Sequence, residues 1–475
     1  MAVSTRPAPL VTPASRAGRR PPPARRGDAG RSRGDAGWMS GAPLRAGTEH
    51  PADRLPPDSP YFARGARHVG YVLAASMVML PLLVPSGPGN TALADVGILA
   101  VVVVVFVWLR HEQVRVAVPY LLPMSLLVTA GVASAFQSGA ESAVLAVLQD
   151  IFCLLWAAAI ANAVRRRRWL LDVLLRAWVW SGVAWAGVLC TGRIAGISWM
   201  AGLSAKDGGR ASLTFDDPNL AANYFLVCIA LILATSVVRH VLTRVLAIAL
   251  VLLAVIFTGS NGAAVGLAIL VGVGLLLGIR RRHGVLAAAA VAFLAGAGVA
   301  LAAPHVNLSQ IGQQAGASIQ LLKDSLGRTD ESSGSREALA SETFRLYLEG
   351  DLVGVGPGRT KATLTGVAAP YIKEAHNDYL ATLVERGALG GLGLVALIAV
   401  TAVRLGRVAT WTQSRWVSQV VPRPEFLLAL GCALAAAALF YEVLHFRHLW
   451  ALLGLVAGID PAVSGFGRRG RRPAR

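Results

Sequence analysis

The chain has 475 residues, of which 55% are apolar, and its formal net charge is +19. A soluble protein of this length would form two or three domains, but the apolar content and positive mean hydropathy exclude that arrangement and indicate an integral membrane protein. The net charge by itself could suggest a nucleic-acid binder. The positions of the basic residues along the chain distinguish that class from a membrane protein with basic loops.

Residues 1–60 are rich in Pro, Gly, Ala and Arg and contain almost no large apolar side chains. Such a segment cannot bury enough apolar surface to offset the entropy lost on ordering, so we expect a disordered, Arg/Pro-rich tail. It is not expected to be a secretory signal peptide, because the first apolar run begins only near Val69.

The rest of the chain contains about twelve apolar runs near the roughly 20 residues that a bilayer crossing requires. They predict an all-α polytopic membrane protein with helices 1–9 in residues 61–303, a large external loop in residues 304–376, helices 10–12 in residues 377–460 and a basic tail in residues 461–475. The runs are approximately 69–84, 92–109, 116–136, 143–164, 169–190, 219–238, 241–258, 262–279, 284–303, 377–402, 425–444 and 447–460.

Arginines fall in every second connection between these runs, as the positive-inside rule requires of cytoplasmic loops. Both termini are therefore predicted to be cytoplasmic, in an inner-membrane protein whose loops 191–218, 259–261 and 304–376 face outward. Anionic headgroups then account for the net charge, and no nucleic acid is expected as a partner. The basic positions are Arg110, Arg115, 165–168, Arg239, Arg244, 280–282, Arg404, Arg407, Arg415 and Arg423.

Neither the cysteines nor the histidines of the chain indicate a metal or cofactor site. The four cysteines lie within or at the ends of spans, and no disulfide framework or CxxC pair is present. Glu442, His445 and His448 have a spacing that could gather a metal on one helical face, but no further ligand accompanies them. We therefore expect no metal and no cofactor.

Two charged residues, Asp150 and Arg176, fall inside predicted spans. A charge at that depth is costly unless it is paired or faces an internal cavity. An interhelical ion pair is the arrangement expected for them.

Two outward connections before the long loop contain polar groups suited to ligand contact. The first, RASLTFDDPNLAANY, starts at Arg210, and its Asp217-Pro218-Asn219 is a turn and helix-start signal. Arg210 has no such local explanation. The second, at residues 258–262, is a tight polar turn that is suitable for backbone contact but is also compatible with a plain connection.

The long loop contains a second candidate arginine and a glycine-rich turn. Ser335 is a suitable N-cap that would set Arg336 in the first turn of a helix, where free N–H groups beside a guanidinium would suit a phosphate. An exposed arginine in a solvated loop is the alternative. Gly354-Val355-Gly356-Pro357-Gly358 lacks the GK[ST] ending of a nucleotide P-loop, so a simple turn is expected there.

His376 stands at the predicted outer mouth of the tenth span, with Glu374 and Asp378 two residues to either side. An imidazole at that interface can take a proton from an attacking hydroxyl near neutral pH. The alternative is an interfacial histidine that only caps the helix.

These motifs together resemble the O-antigen ligase and polymerase superfamily of bacterial membrane glycosyltransferases. The resemblance rests on RASLTFDDPNLAANY before a span, on Arg336 followed by a helix and GVGPG, and on HNDYLATLVERGALG opening the next span. It covers roughly residues 210–400. Family members commonly have a Thr-x-Ser-Arg turn where this chain has Asn261. Either Arg210 and Arg336 supply that charge here, or the donor is handled differently.

The resemblance implies transfer of a glycan from a polyprenyl diphosphate carrier to an acceptor hydroxyl of a glycan or lipid at the outer face of the membrane. In this view His376 is the general base, Arg210 and Arg336 contact the diphosphate, and Asn219 and Asn377 position the substrate. Arginines would neutralise the leaving diphosphate without a metal.

Two alternatives remain open: a polymerase that joins repeat units, and a glycan or lipid transporter. A transporter is expected to place its ionisable groups near the bilayer midplane, whereas the suggestive residues here gather at the predicted outer surface, which favours the enzyme.

Overall fold

Helices form the regular structure throughout the residues that the computed structural model describes: 64–87, 91–203, 209–302, 329–350, 352–367, 377–410 and 414–462. Within these ranges the only pairing of extended backbone is an antiparallel bridge between Leu203 and Ala211. The all-α part of the prediction is confirmed. The helices are α1 Arg64–Met79, α2 Leu93–His111, α3 Leu121–Ser138, α4 Glu141–Arg166, α5 Trp169–Ile194, α6 Ser198–Ala201, α7 Pro218–Ala234, α8 Val241–Thr258, α9 Asn261–Ala302, α10 Thr329–Glu349, α11 Thr360–Gly366, α12 Asp378–Thr410, α13 Arg415–Val420, α14 Glu425–Ala437 and α15 Arg447–Ile459.

Seven helices of the described residues, α2, α3, α4, α5, α8, α9 and α12, are long and apolar enough to cross a membrane. Three more, α7, α14 and α15, are apolar but shorter. Large apolar side chains such as Leu242 and Phe293 lie exposed on the outside of the bundle. An outer surface of this kind is stable only when lipid covers it, so the protein is a membrane protein.

The centre of the bundle is formed by α7 and α15. Helix α7 packs against α5, α8, α9 and α14, and α15 packs against α4 and α12. Tyr224 and Phe225 of α7 and Trp450 of α15 are among the largest fully buried side chains. These helices are apolar around nearly their whole circumference, as expected for helices surrounded by other helices.

Two of the long helices break at a glycine. In α9 the break is at Gly284, with φ 87° and ψ 176°, at the first residue of the predicted span 284–303. In α12 it is at Gly387, with φ 59° and ψ −163°, nine residues after the helix begins. Backbone of this conformation is open to glycine at little cost, so both breaks have a local cause in the sequence.

The glycine-rich turn after α10 docks on the break in α12. The amides of Val355 and Gly356 donate hydrogen bonds to the carbonyl oxygens of Val384 and Glu385 at 2.9 and 3.0 Å. A Cβ on Gly354 would lie 2.6 Å from the Gly387 nitrogen, so only glycine allows this approach. The segment is a turn, as expected, and it fixes this part of the long loop to α12.

Ion pairs gather the arginine-rich connections at the end of the bundle where α2, α4, α12 and α15 terminate. Asp460 accepts from Arg404 and Arg407, both on α12. The other pairs are Arg166 and Arg167 with Glu112, and Arg281 with Glu425. Much of the positive charge of this end is therefore held by carboxylates of neighbouring helices.

The two charged residues inside predicted spans have different partners from each other. Asp150 forms an interhelical ion pair, 2.5 Å from Nη1 of Arg386, and both side chains are buried. Arg176 pairs with Asp172 one turn earlier on its own helix, and both are partly exposed. The expected interhelical pair is thus correct for Asp150 and wrong for Arg176, because Arg176 points away from the bundle interior.

Candidate active site

Arg210 ties together two connections at the end of the bundle opposite to the ion-paired arginines. Its Nε donates to the carbonyl oxygen of Thr258 at 2.7 Å, and its Nη2 donates to Oδ1 of Asn219 at 2.9 Å. Ser260 Oγ donates to the same amide oxygen at 3.0 Å. Three polar side chains therefore converge, from the α6–α7 connection, the start of α7 and the α8–α9 connection.

Tyr441, from the α14–α15 connection, completes this group. Its hydroxyl lies 3.2 Å from Ser260 Oγ, in a buried position. We call this group the arginine cluster; it consists of Arg210, Asn219, Ser260 and Tyr441. A guanidinium held beside two hydroxyls and an amide is suited to binding an oxyanion.

Local sequence explains why the arginine cluster assembles. Asp217 caps α7, accepting from the amide of Asn219 at 2.6 Å, and Pro218 occupies the first turn. The predicted helix start is confirmed, and it places Asn219 at the mouth of α7. Gly259 ends α8 with φ 58°, which turns the chain so that Ser260 follows directly in the cluster.

The start of α12 is fastened to the α14–α15 connection that contains Tyr441. Oδ2 of Asp378 accepts from the amides of Val443 and Leu444 at 2.7 and 3.1 Å. The amide of Asp378 donates to the carbonyl oxygen of Ala438 at 2.9 Å. Asp378 is buried, so these bonds hold the start of α12 to the connection that contains Tyr441.

Asn377 acts as the N-cap of α12. Its Oδ1 accepts from the amides of Tyr379 at 2.9 Å and Leu380 at 3.1 Å. Capping occupies the oxygen, so the amide nitrogen is the group of Asn377 that can reach a substrate.

His376 and the side chain of Arg336 lie outside the residues that the structure describes. The backbone around Arg336 is helical, but α10 begins at Thr329, six residues before Ser335. Ser335 is therefore not the N-cap, and the prediction that Arg336 lies in the first helical turn is wrong. Its backbone N–H is inside the helix, so any phosphate contact of Arg336 has to come from the guanidinium alone.

Further ionisable groups, from α2, α15 and the α14–α15 connection, lie near the end of the bundle that contains the arginine cluster. Arg447, at the start of α15, makes a two-pronged contact with Asp95, at 3.0 and 2.9 Å. Burial lowers the pKa of His445, in the α14–α15 connection, and the Asp150 carboxylate partly offsets this. A neutral imidazole there leaves the positive charge of this region to arginines.

One of the residues considered for a metal site has a hydrogen-bonding partner inside the bundle. His448 is buried in α15 with Nε2 2.9 Å from Oδ1 of Asn223. Among the described residues, no group of three or more His, Cys, Asp or Glu side chains is arranged to hold a metal ion. All four cysteines are free thiols.

Replacing Gly262 by alanine is expected to disrupt the arginine cluster. A Cβ at this position would lie 1.6 Å from the Tyr441 hydroxyl, so the tyrosine must move and its contact with Ser260 is lost. Overpacking of this kind costs about 1–3 kcal/mol. Thermal unfolding of the purified protein in detergent measures the loss. The matched control is Gly278→Ala on the same helix, where nothing lies within 4 Å and no destabilisation is expected. Equal melting temperatures for the two variants would contradict the close packing.

Sequence reasoning missed Tyr441 and the anchoring role of Asp378. Tyr441 lies more than 170 residues from Ser260 in the chain, and nothing around it marks a site. Asp378 is part of the quoted HND segment, but its spacing from His376 gave no indication that it accepts two backbone hydrogen bonds. An aspartate beside an apolar span could have raised the question of its partner.

Comparison with known proteins gives one family. Residues 246–395 match the family model described as Wzy_C, O-antigen ligase. The matched region, about a third of the chain, contains Ser260, the glycine-rich turn and the start of α12. No curated protein matches the chain. The match confirms the resemblance to the O-antigen ligase superfamily over these residues, and that family implies a glycosyltransferase type of enzyme.

Proposed function

We propose that this chain, whose residues 246–395 carry the O-antigen ligase family region, moves a glycan from a polyprenyl diphosphate carrier to an acceptor hydroxyl of a glycan or lipid. The reaction takes place at the outer face of the cytoplasmic (inner) membrane. Arg210 and Arg336 contact the diphosphate, His376 is the general base, and Asn219 and Asn377 position the substrate.

The observation that carries this proposal is the meeting of two distant motifs at one connection. The arginine cluster reaches the α14–α15 connection through Tyr441, and the start of α12 reaches the same connection through Asp378. His376 directly precedes Asn377 in the chain. A base supplied by one motif and a phosphate-binding charge supplied by the other can thereby serve one reaction.

The proposed step needs only groups of the protein and its two substrates. The acceptor oxygen attacks the anomeric carbon, and His376 takes the hydroxyl proton. The bond between the anomeric carbon and the diphosphate oxygen breaks, and its electron pair leaves with the diphosphate. Arginine side chains stabilise the charge that develops there, so the step requires no metal.

In the proposed topology the chain crosses the membrane about twelve times. The external loop lies between helices 9 and 10, and both termini are in the cytoplasm. The shorter helices α7, α14 and α15 and the break at Gly284 support more crossings than the seven long helices alone. The ion-paired arginines would then lie at the cytoplasmic end, where anionic lipids favour them.

Transfer in the presence of a chelator tests the activity. Purified protein in detergent should move glycan from a polyprenyl diphosphate donor to an acceptor with EDTA present, measured as acceptor-linked glycan on a gel. Activity that is lost with EDTA and returns with a divalent cation would overturn the metal-free step. Export of the donor across vesicles with no transfer would favour a transporter.

Accessibility to an impermeant thiol reagent tests the orientation. In a Cys432→Ser background, Ala362→Cys on α11 should be labelled from outside intact cells, and His240→Cys should be labelled only after lysis. Both positions are exposed and neither side chain makes a cap bond, so the substitutions should be tolerated. The reverse pattern would place the arginine cluster in the cytoplasm.

The choice between ligase and polymerase depends on the length of the transferred glycan. Deletion of the gene should leave full-length chains on the lipid carrier if the protein is a ligase. Single repeat units on the carrier would show the polymerase.

A further inference from the structure

Helix α7 ends among arginines, at the end of the bundle opposite to the arginine cluster. It has 17 residues and is about 25 Å long, with Asn219 in its first turn and Ala234 as its last residue. Beyond Ala234, Arg244 of α8 donates through Nη2 to the carbonyl oxygens of Val238 at 2.7 Å and Thr235 at 3.4 Å. The helix dipole favours positive charge at this position, so Arg244 is held at the end of α7.

The α13–α14 connection brings a second arginine to the same place. The backbone amide of Arg423 donates to the carbonyl oxygen of Ala234 at 3.1 Å. The amide of Ser236, two residues further along, donates to the carbonyl oxygen of Val420 at 2.9 Å. Backbone pairing between the two connections therefore fixes the position of Arg423, whose side chain is partly buried.

Helix α9 contributes further arginines. Nη1 of Arg281 lies 3.1 Å from the carbonyl oxygen of Pro422 and 2.9 Å from Oε2 of Glu425. These contacts fasten α9 to the α13–α14 connection. Arg282, the next residue, is exposed, and its charge acts on Arg423.

The positive charge at the end of α7 is only partly balanced by the protein. Partial burial lowers the pKa of Arg423, and the neighbouring Arg244 and Arg282 lower it further, while Glu425 offsets part of the effect. The Glu425 carboxylate is shared with Arg281. Among the described residues, Nη2 of Arg423 and Nε of Arg244 are buried without a hydrogen-bond partner. An oxyanion would relieve the repulsion between these guanidinium groups and accept hydrogen bonds from them.

Exposed apolar side chains beside Arg244 indicate which kind of anion fits. Val241 precedes Arg244 by one helical turn, so the two side chains share a face of α8, and Val241 is 75% exposed. Leu242 and Val245 are 70% and 56% exposed. An aliphatic surface next to guanidinium groups suits a molecule that has acyl chains as well as a phosphate. A free phosphate ion would use only the charged part.

We propose that Arg244, Arg282 and Arg423 bind the phosphate of an anionic phospholipid, whose acyl chains lie along the exposed face of α8. We call these three arginines the basic site. A lipid bound there bridges α8, α9 and the α13–α14 connection. The basic site is separated from the arginine cluster by the length of α7, and it does not depend on the proposed glycan transfer.

Native mass spectrometry of the purified protein in detergent tests the basic site. The wild type should retain phosphatidylglycerol but not phosphatidylcholine, whose choline cancels the charge of the phosphate. Arg282→Gln and Arg423→Gln should each raise the Kd for phosphatidylglycerol about fivefold, the usual contribution of one basic residue beside an anionic headgroup. Folding should tolerate both changes, because Arg282 is exposed and Nη2 of Arg423 has no partner among the described residues.

Arg239→Gln is the matched control. Arg239 is exposed in the α7–α8 connection at the same end of the bundle, but it is not one of the charges that act on Arg423. Its replacement removes the same charge and should leave the Kd unchanged. Equal weakening in Arg239→Gln and Arg423→Gln would show a general effect of net charge and overturn the site. Equal retention of phosphatidylcholine, or displacement of the lipid by an equal concentration of inorganic phosphate, would overturn the assignment to an anionic phospholipid.

Thermal unfolding gives a second measurement that does not depend on the mass spectrometer. A ligand that binds only the folded protein raises its melting temperature. Phosphatidylglycerol should therefore raise the melting temperature of the wild type and of Arg239→Gln by similar amounts, and that of the double variant Arg282→Gln, Arg423→Gln by less. The same rise in all three proteins contradicts the proposal.

Discussion

His376→Ala should lower the single-turnover rate of glycan transfer by about 10²- to 10⁴-fold, the usual contribution of a general acid–base group. The affinity for the donor should stay nearly the same, because the base acts on the acceptor hydroxyl and not on the diphosphate. Rapid mixing of enzyme saturated with donor against excess acceptor measures the rate, and a fluorescent donor measures the affinity.

Arg210→Ala should change donor binding, in contrast to His376→Ala. Loss of the guanidinium should weaken donor binding as well as rate, and Arg210→Lys should restore only part of both, since an ammonium lacks the planar fork that reaches Thr258 and Asn219. Wild-type transfer by His376→Ala would remove the assignment of the base. Unchanged affinity in Arg210→Ala would remove that arginine from the diphosphate site.

Arg386→Met should be the most destabilising single substitution considered, at about 3–5 kcal/mol, because it leaves the Asp150 carboxylate buried without its partner. Adding Asp150→Leu to this variant should recover much of the loss, since an apolar pair of similar size replaces the buried ion pair. Denaturant titration in detergent measures each free energy of unfolding.

Arg176→Met is the matched control for the same residue type. Arg176 pairs with Asp172 at the partly exposed surface of α5, and pairs of this kind contribute only about 0.3–0.5 kcal/mol. Similar losses in Arg386→Met and Arg176→Met would show that burial of the Asp150–Arg386 pair is not what governs its contribution.

The two ion pairs also show that sequence predicts the need for a partner but not which partner a charged side chain meets. Both Asp150 and Arg176 fall in predicted spans, and the cost of a buried charge predicts a partner for each. The rule cannot tell which way a side chain faces. Asp150 points into the bundle and meets Arg386, 236 positions further along the chain, whereas Arg176 finds its partner one turn away.

In the candidate site, too, local sequence predicts some features and only packing creates others. Asp217-Pro218-Asn219 is correctly predicted as a helix start because capping depends on adjacent residues. The first turn assigned to Arg336 is wrong because several Ser, Thr and Asp residues of that segment could each begin a helix, and α10 begins before Ser335, at Thr329. Tyr441 is not predicted at all, since only packing of α9 against α14 brings it to Ser260.

The sequence by itself determined the membrane class, the all-α fold, the arginine-rich connections and the resemblance to the O-antigen ligase family, since these depend on composition, local hydropathy and short motifs. The tertiary structure decided which connections meet. The arginine cluster, the anchoring of Asp378 and the docking of GVGPG on Gly387 all join residues far apart in the chain. Such contacts are set by how helices pack in three dimensions. Side-chain size at a crossing point determines what can approach, as the absence of a Cβ at Gly262 does for Tyr441.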